Sequence, residues 1–503
     1  MRATAAVVLL SLGAGACAHA PAGSPVELGL SGRSSLIAGT VVEGAARSAP
    51  TVMLIGGLAG DDASAAAVRS EARAFEKIRQ SRRPFRLIAV PLANPDRATL
   101  EFPPTGTAYR DNPEANALWR WIGVHGPDLV LIVGDDSAGL AAELSVQSVA
   151  EVGRIPAKDA PPGAGILRSI TGALPASEAH TELERRRGRS PRQLADELAQ
   201  YYGLSFDPPW YINAVALIGQ IRLGHLAAVQ RLAEPYVDGT KNSLERPNSL
   251  VLAGHIVFTE LARRTGDPRY VQLVRRVGDL GFEANGQMKD SMPYHEQYSD
   301  SVFMGTVIVA QAGALTGERR YFDMAARHLA FMQRLDLRPD GLYRHTPATD
   351  AAWGRGNAFA AIGLALTLSD FPRDHPDYAH LLQSYRHYMQ VLAHFQDRDG
   401  LWRNVIDHPG AYAEYSATAM IGFSMLRGVR EGWLPKKEYE PIVERAWQAV
   451  LARTGAQGRL VDVCESTTRM KSLDEYLHRA ATLGPDPRGG AMALLFATEM
   501  AGL

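Results

Sequence analysis

Asp300 stands at the mouth of an almost wholly apolar helical pattern, in the stretch MPYHEQYSDSVFMGTVIVAQAGALTG. An acid there has two readings. It caps the helix, as Asp commonly does, or it is presented to a pocket that the helix helps to build. The two differ in orientation, because a side chain turned back to its own backbone is not free for another partner. A free carboxyl group can hand over a proton as a general acid. Three further segments share this plan: GLYRHTPATDAAWGRGNAFAAIGLAL, GLWRNVIDHPGAYAEYSATAMIGF and LGPDPRGGAMALLF. Each runs from a polar, aromatic-rich loop into a helix with small residues. Helices of that kind pack closely, and their N-termini would gather around one opening, a natural place for an anion.

The elements that must position these loops are helical hairpins. From about residue 205, helical patterns of 12 to 20 residues follow one another, separated by Gly, Pro and Asp. Weak repeats appear: LARRTGDPRYVQLVRR returns as GALTGERRYFDMAARHL, and RPDGLYRHT as DRDGLWRNV. A hairpin unit of about 50 residues over about 300 gives roughly six hairpins. An open solenoid would repeat more regularly and carry a polar cap. Variable loops bearing Trp, His, Arg and Asp favour a closed α/α toroid.

The pieces YSDSVFMG, RHT…WGRGNAF, GLWRNVIDHPGAYAEYSATAM and GGAMALL, in this order, resemble glycoside hydrolase families 88 and 105, the unsaturated uronyl and unsaturated rhamnogalacturonyl hydrolases. The resemblance covers most of residues 205–503 and implies an all-α (α/α)6 barrel of the six-hairpin glycosidase type. It also implies hydration of the C4=C5 double bond in the terminal sugar left by a polysaccharide lyase. Asp300 then matches the acid that protonates the enol ether carbon. Tyr298 and Phe359 stand where the family often has Trp, and with Trp353 they are candidates to stack on the sugar. His345 matches a substrate-binding His. Arg355 matches the Arg of W-x-R-G-N, suited to a uronate carboxylate as a bidentate donor, and Asn357 matches the residue that orders that loop. Glu414 opens the E-x-S-A-T-A-M helix. The family's second Asp is replaced: Asn248 or Ser249 occupies its place, and Asn can hold a water or hydroxyl but cannot accept a proton.

Plainer readings stand beside these. His345 alone reads as a loop histidine and Arg355 alone as a capping arginine. Trp353, Tyr298 and Phe359 can be core aromatics, and Glu414 can simply favour the helix dipole. The function expected is release of an unsaturated uronic acid from lyase-generated oligosaccharides. The alternatives are hydrolysis of intact uronides, needing a further acid such as Glu296 or Glu414, and a non-catalytic carbohydrate-binding lipoprotein. No cofactor or metal is expected. Net charge is -1, from 53 basic and 54 acidic residues, so nothing argues for nucleic acid as a partner.

Residues 45–180 read as an α/β domain, with long apolar runs suited to a sheet covered on both faces. The turn Gly56-Gly57-Leu58-Ala59-Gly60-Asp61-Asp62, with IAVPLANPD and NPEANALWRWI, resembles the M14 zinc carboxypeptidases. Their zinc ligands fall on Ala59, Asp62 and Gly134 or Asp135, which implies a degenerate domain without zinc or peptidase activity. A serine nucleophile at Ser137 would need Gly-x-Ser-x-Gly, and the chain has Asp135-Asp136-Ser137-Ala138-Gly139. Residues 181–204 read as a linker helix and 205–503 as the barrel.

The start, MRATAAVVLLSLGAGACAHA, reads as a signal peptide over residues 1–20. It resembles a lipoprotein signal, which implies lipidation of Cys17, export to the periplasm or outer membrane, and contact with membrane through that anchor alone. Ordinary cleavage after ACAHA is the alternative. Cys464 is the second of two cysteines, so a lipidated Cys17 leaves no intrachain disulfide.

Overall fold

In a computed structural model of the chain, residues 23–46, 48–465 and 468–503 are described. The expected leader and Cys17 lie outside them.

Six strands form one sheet: β1 (Ser24–Leu30), β2 (Leu36–Val42), β3 (Thr51–Ile55), β4 (Arg86–Val90), β5 (Leu129–Val133) and β6 (Ala157–Ala160). Their order is β1-β2-β4-β3-β5-β6. β4, β3, β5 and β6 run parallel, while β1 and β2 add an antiparallel hairpin at one edge. The sheet therefore begins at Ser24 and not near residue 45. Its apolar strands do not alternate because both faces are covered. On one face, Val68, Ala72 and Phe75 of α1 (Asp62–Glu76) pack on Val52, Leu54 and Leu131. On the other lies α2 (Pro113–His125), buried almost all round between the sheet and the helical domain. α3 (Leu140–Val146) supports β5 and β6.

The rest is mainly helical. It comprises α4 (Glu178–Arg187), α5 (Pro191–Ala199), α6 (Tyr211–Arg222), α7 (Leu226–Val237), α8 (Ser249–Gly254), α9 (Ile256–Thr265) and α10 (Pro268–Gly278). Then follow α11 (Ser301–Met304), α12 (Thr306–Thr316), α13 (Arg319–Asp336), α14 (Gly354–Asp370) and α15 (Tyr378–His394). Last come α16 (Tyr415–Arg430), α17 (Lys436–Ala452), α18 (Leu473–Leu477) and α19 (Pro487–Met500). Two short ribbons interrupt them: β7 (Trp402–Arg403) with β8 (Ala413–Glu414), and β9 (Arg459–Cys464) with β10 (Ala481–Pro485).

The inner ring runs α6, α8/α9, α11/α12, α14, α16, α19, and α19 closes it by packing on α6. The outer helices α5, α7, α10, α13, α15 and α17 each bring the chain back, so all inner helices start at the same end. Sequence and layer agree. α12 and α14 are buried on nearly every side, whereas α10 buries only the stripe Tyr270, Leu273, Val274 and Val277. Close packing needs small residues: a Cβ on Gly363 of α14 would lie 2.6 Å from the Val302 carbonyl of α11. α5 is the first outer helix and packs on α6 and α19, so this part of the segment expected to link the domains belongs to the barrel, while α4 touches both α2 and α17. Its start is set by a capping box between Ser190 and Gln193.

The two domains share one core. Met53, Ile88 and Val130 of the sheet belong to the same buried cluster as Trp353, Val405, Tyr412, Cys464 and Tyr476. Asp462 on β9 fastens them electrostatically. It accepts from Arg120 (2.6 Å) and Tyr109 (3.1 Å) of the sheet domain and from Arg453 (2.9 Å) of the barrel.

Candidate active site

Asp300 lies at the shared N-terminal end of the inner helices, just before α11. Its backbone is helical (φ -52°, ψ -27°) and its side chain makes no capping bond. A capping residue needs extended backbone to turn its oxygen onto the helix; Asp300 lacks it, so its carboxyl group projects away. Oδ2 stands 3.5 Å from Nε2 of His345 and has no hydrogen-bond partner, while the side chain keeps 20% of its surface exposed. One oxygen is thus buried against an imidazole and the group still reaches solvent.

The segment carrying Asp300 is pinned twice. The Ser299 amide donates to the His345 carbonyl (3.0 Å). Behind α11, fully buried His328 accepts the Met292 amide at Nδ1 (3.2 Å) and donates from Nε2 to the Ser301 carbonyl (3.0 Å). Burial lowers its pKa to about 4, so it is the neutral form that makes both bonds. Gly305 gives the ring room: a Cβ there would sit 2.4 Å from Nε2.

His345 is buried inside an aromatic cage. Tyr298 stacks on it at 4.9 Å and 21°, Trp353 lies 4.5 Å away, and the Tyr476 hydroxyl is 2.7 Å from Nδ1. Arg355, at the start of α14, is also buried. Nε donates to Ser416 Oγ (2.9 Å), Nη2 donates to the Cys464 carbonyl and lies 3.5 Å from Glu414, and the guanidinium sits over the Trp353 ring. Burial opposes its charge, yet the Glu414 carboxylate beside it holds the guanidinium above its ordinary range.

Four of the candidate site residues are committed to the protein itself. Glu414 is fully buried, where it caps α16 through the Ala417 amide and accepts from Ser416 Oγ and the Cys464 amide (both 2.9 Å). Asn357 spends its amide on the Tyr343 amide and carbonyl (both 2.8 Å), the Trp353 carbonyl and the Tyr388 hydroxyl. It orders the loop and has nothing left for a sugar. Phe359 is 1% exposed and stacks on Phe303, so its ring has no free face. Asn248 caps α8 through the Val251 amide (3.0 Å).

Four residues were missed: Asp336, His328, Tyr476 and Ser416. Asp336 and His328 carry a legible signal, since both fall on the buried stripe of α13 with Ala325, Leu329 and Met332. Asp336 is fully buried, and neither carboxyl oxygen has a partner. Burial raises its pKa to about 8; Arg344 opposes the rise and the Asp300 charge adds to it. Tyr476 and Ser416 reach the site only through tertiary folding.

The positions matching zinc ligands do not fit a metal. Ala59 and Gly134 offer no donor, so at most Asp62 and Asp135 remain, fewer than the three protein ligands a zinc site needs. Asp323 of α13 clusters with His375 and Asp377 of the α14–α15 loop, but His375 uses Nε2 on Asp323 and Nδ1 on the Asp377 amide.

Six hairpins closed around one opening, with Asp300 at its mouth, define a six-hairpin glycosidase fold. Solved structures share it. A possible GH105 member from Salmonella enterica is 21% identical with a TM-score of 0.51, covering 64% of this chain and 94% of that one. A family 105 glycoside hydrolase from C. acetobutylicum is 21% identical with a TM-score of 0.52, covering 62% and 99%. The chain belongs to Glycosyl Hydrolase Family 88, whose sequence profile matches residues 226–503. It is similar to the unsaturated rhamnogalacturonyl hydrolase YesR of Bacillus subtilis, 24% identical over 247 residues, 45% of this chain and 69% of that protein. An unsaturated 3S-rhamnoglycuronyl hydrolase from Alteromonas sp. is 25% identical over 222 residues, 40% of this chain and half of that protein.

Proposed function

We propose that this glycoside hydrolase releases an unsaturated terminal uronic acid from lyase-generated oligosaccharides. The observation that carries the reading is the carboxyl group of Asp300, not spent on its helix, partly exposed and backed by His345. Protonated Asp300 gives its proton to C4 of the enol ether, leaving an oxocarbenium ion at C5. Water adds at C5 and returns a proton to the carboxylate. The C5 hemiketal opens, and the neighbouring sugar leaves as the ring collapses. One carboxyl group suffices, with no covalent intermediate. Half-buried Tyr298 offers a stacking face beside the acid, whereas Arg355, expected to meet the uronate, has Nε and Nη2 engaged and its charge countered by buried Glu414. The names of the relatives, an unsaturated rhamnogalacturonyl and an unsaturated 3S-rhamnoglycuronyl hydrolase, support this substrate class. Cleavage of intact uronides loses one candidate acid, because Glu414 is sealed under α16.

The test is loss of the absorbance of the conjugated double bond. Wild type bleaches an oligosaccharide of the right backbone; Asp300→Asn lowers kcat by about 10²–10⁴-fold while sugar binding stays within a few-fold. A wild type that bleaches no uronide yet binds sugar as well as the variant does would make this a binding protein.

We also infer that the sheet domain is a degenerate carboxypeptidase fold. Support comes from its two motif turns, which meet as Asn94 donates to the Leu58 carbonyl (3.0 Å). Export and lipid attachment at Cys17 are proposed from the leader, and are tested by fatty-acid labelling of wild type against Cys17→Ser.

A further inference from the structure

The loop joining β9 to β10 carries α18, and α18 carries Tyr476. Several hydrogen bonds tie this hairpin to the sheet domain. At its base, Arg120 donates to Asp462 of β9 and to the Ala481 carbonyl of β10 (3.2 Å), and Tyr109 donates to Asp462. At its tip, two bonds from the β1–β2 turn bracket Tyr476: Ser34 Oγ donates to Asp474 (3.0 Å), and His478 Nε2 donates to the Ser31 carbonyl (3.0 Å). The hairpin in turn holds the site. The Cys464 carbonyl takes Arg355, the Cys464 amide goes to Glu414, and the Tyr476 hydroxyl meets Nδ1 of His345.

We propose that the sheet domain is a working part of the active site: it clamps the β9–β10 hairpin so that the Tyr476 hydroxyl fixes which nitrogen of His345 faces Asp300. In this scheme the Tyr476 hydroxyl, 2.7 Å from Nδ1, is the donor and Nδ1 the acceptor. Neutral His345 then carries its own proton on Nε2, the atom 3.5 Å from Asp300 Oδ2. That N–H stabilises the carboxylate that Asp300 becomes once it has given its proton away. The opposite tautomer would set a lone pair against the new charge. Tyr476 touches neither substrate nor reacting atoms in this scheme, so it is a positioning residue. The titratable groups facing the ring are Asp300, Tyr298 and Tyr476, with Arg355 behind Trp353.

This inference rests on Asp300 as the acid, and its test has a readout that does not. In the full-length protein, histidine side-chain nitrogen NMR reports the tautomer and titration of His345 with or without any substrate. In Tyr476→Phe, the Nε2-protonated form is expected to give way to a mixture and the His345 titration to move. With substrate, kcat should fall about 10-fold or more while KM stays within about threefold, as for loss of a residue that orients another. His478→Ala, which cuts one of the two ties at the tip and leaves Tyr476 in place, should shift both readouts in the same direction by a smaller amount. An unchanged His345 tautomer and kcat–pH profile in Tyr476→Phe would overturn the role of the hydroxyl. Normal His345 spectra in His478→Ala with only a lowered Tm would overturn the clamp. If instead the tautomer shifts as described but no unsaturated uronide is turned over, the positioning stands and the substrate reading fails.

Discussion

At the residue scale, the acids divide by what their side chains are free to do. Asp300 and Glu414 both open apolar helices, and a linear reading leaves each as cap or catalyst. Backbone conformation separates them: Glu414 is extended and bonds its own helix, Asp300 is helical and does not. This difference in ψ leaves no mark in residue types, so only folding resolves it. The same limit applies to Phe359, whose place beside the W-x-R-G-N loop suggests a sugar platform and whose ring is core. Asp336 is different, being a charge on an apolar stripe. Its folded pKa of about 8 lies above its unfolded value of 3.8, so from about pH 4 upward the folded state keeps a proton that the unfolded state releases. The group therefore costs stability increasingly as pH rises towards 8. Asp336→Asn should gain about 3–5 kcal/mol relative to wild type between pH 4.5 and 8, read from urea midpoints at each pH. A constant difference would mean that the acid is ionised when folded.

At the element scale, polar-aromatic loops running into helices of small residues were enough to foresee that the inner helices start around one opening. The hairpin β1–β2 was not foreseen, although Val26, Leu28 and Leu30 alternate towards the core. Each strand is only seven residues, and the pair finds its sheet across an edge rather than through a crossover helix. The start of α12 makes a sharper prediction. Gly305→Ala puts a methyl group into His328, and the backbone there (φ -104°) needs no glycine for itself. The cost is steric, about 1–3 kcal/mol, and activity should fall with stability because the same histidine pins Ser301 next to Asp300. A variant of unchanged Tm would contradict this. His328 and His255 also set acid behaviour. Both have folded pKa values of about 4 against 6.5 when unfolded. Unfolding takes up protons below pH 6.5, so stability falls from there down to pH 4, by up to roughly 3 kcal/mol for each. This is opposite in sign to Asp336, and His255→Gln or His328→Gln should flatten the loss in denaturation measured between pH 7 and 4.5.

At the scale of the whole molecule, the division into two domains was legible and their union was not. Composition changes near residue 180 mark a boundary, but a shared core is a property of surfaces that meet only after folding. With Trp353 and Tyr476 packed in one cluster with the central sheet, calorimetry should show a single unfolding transition. Asp462→Ala leaves Arg120 and Arg453 buried beside each other without an anion and should cost about 3–5 kcal/mol. Two transitions in wild type, or a near-neutral Asp462→Ala, would separate the domains thermodynamically. The Asp462 contacts also order events in time. They join residues 342 and 353 positions apart, and the ring itself closes only when α19 meets α6. On the ribosome the sheet emerges first and β9, α18 and β10 almost last. A nascent chain can thus build most of the barrel wall while His345 still lacks Tyr476 and Arg355 still lacks the Cys464 carbonyl. Catalytic competence arrives in a single late step, when the end of the chain docks onto the part of it that was made first.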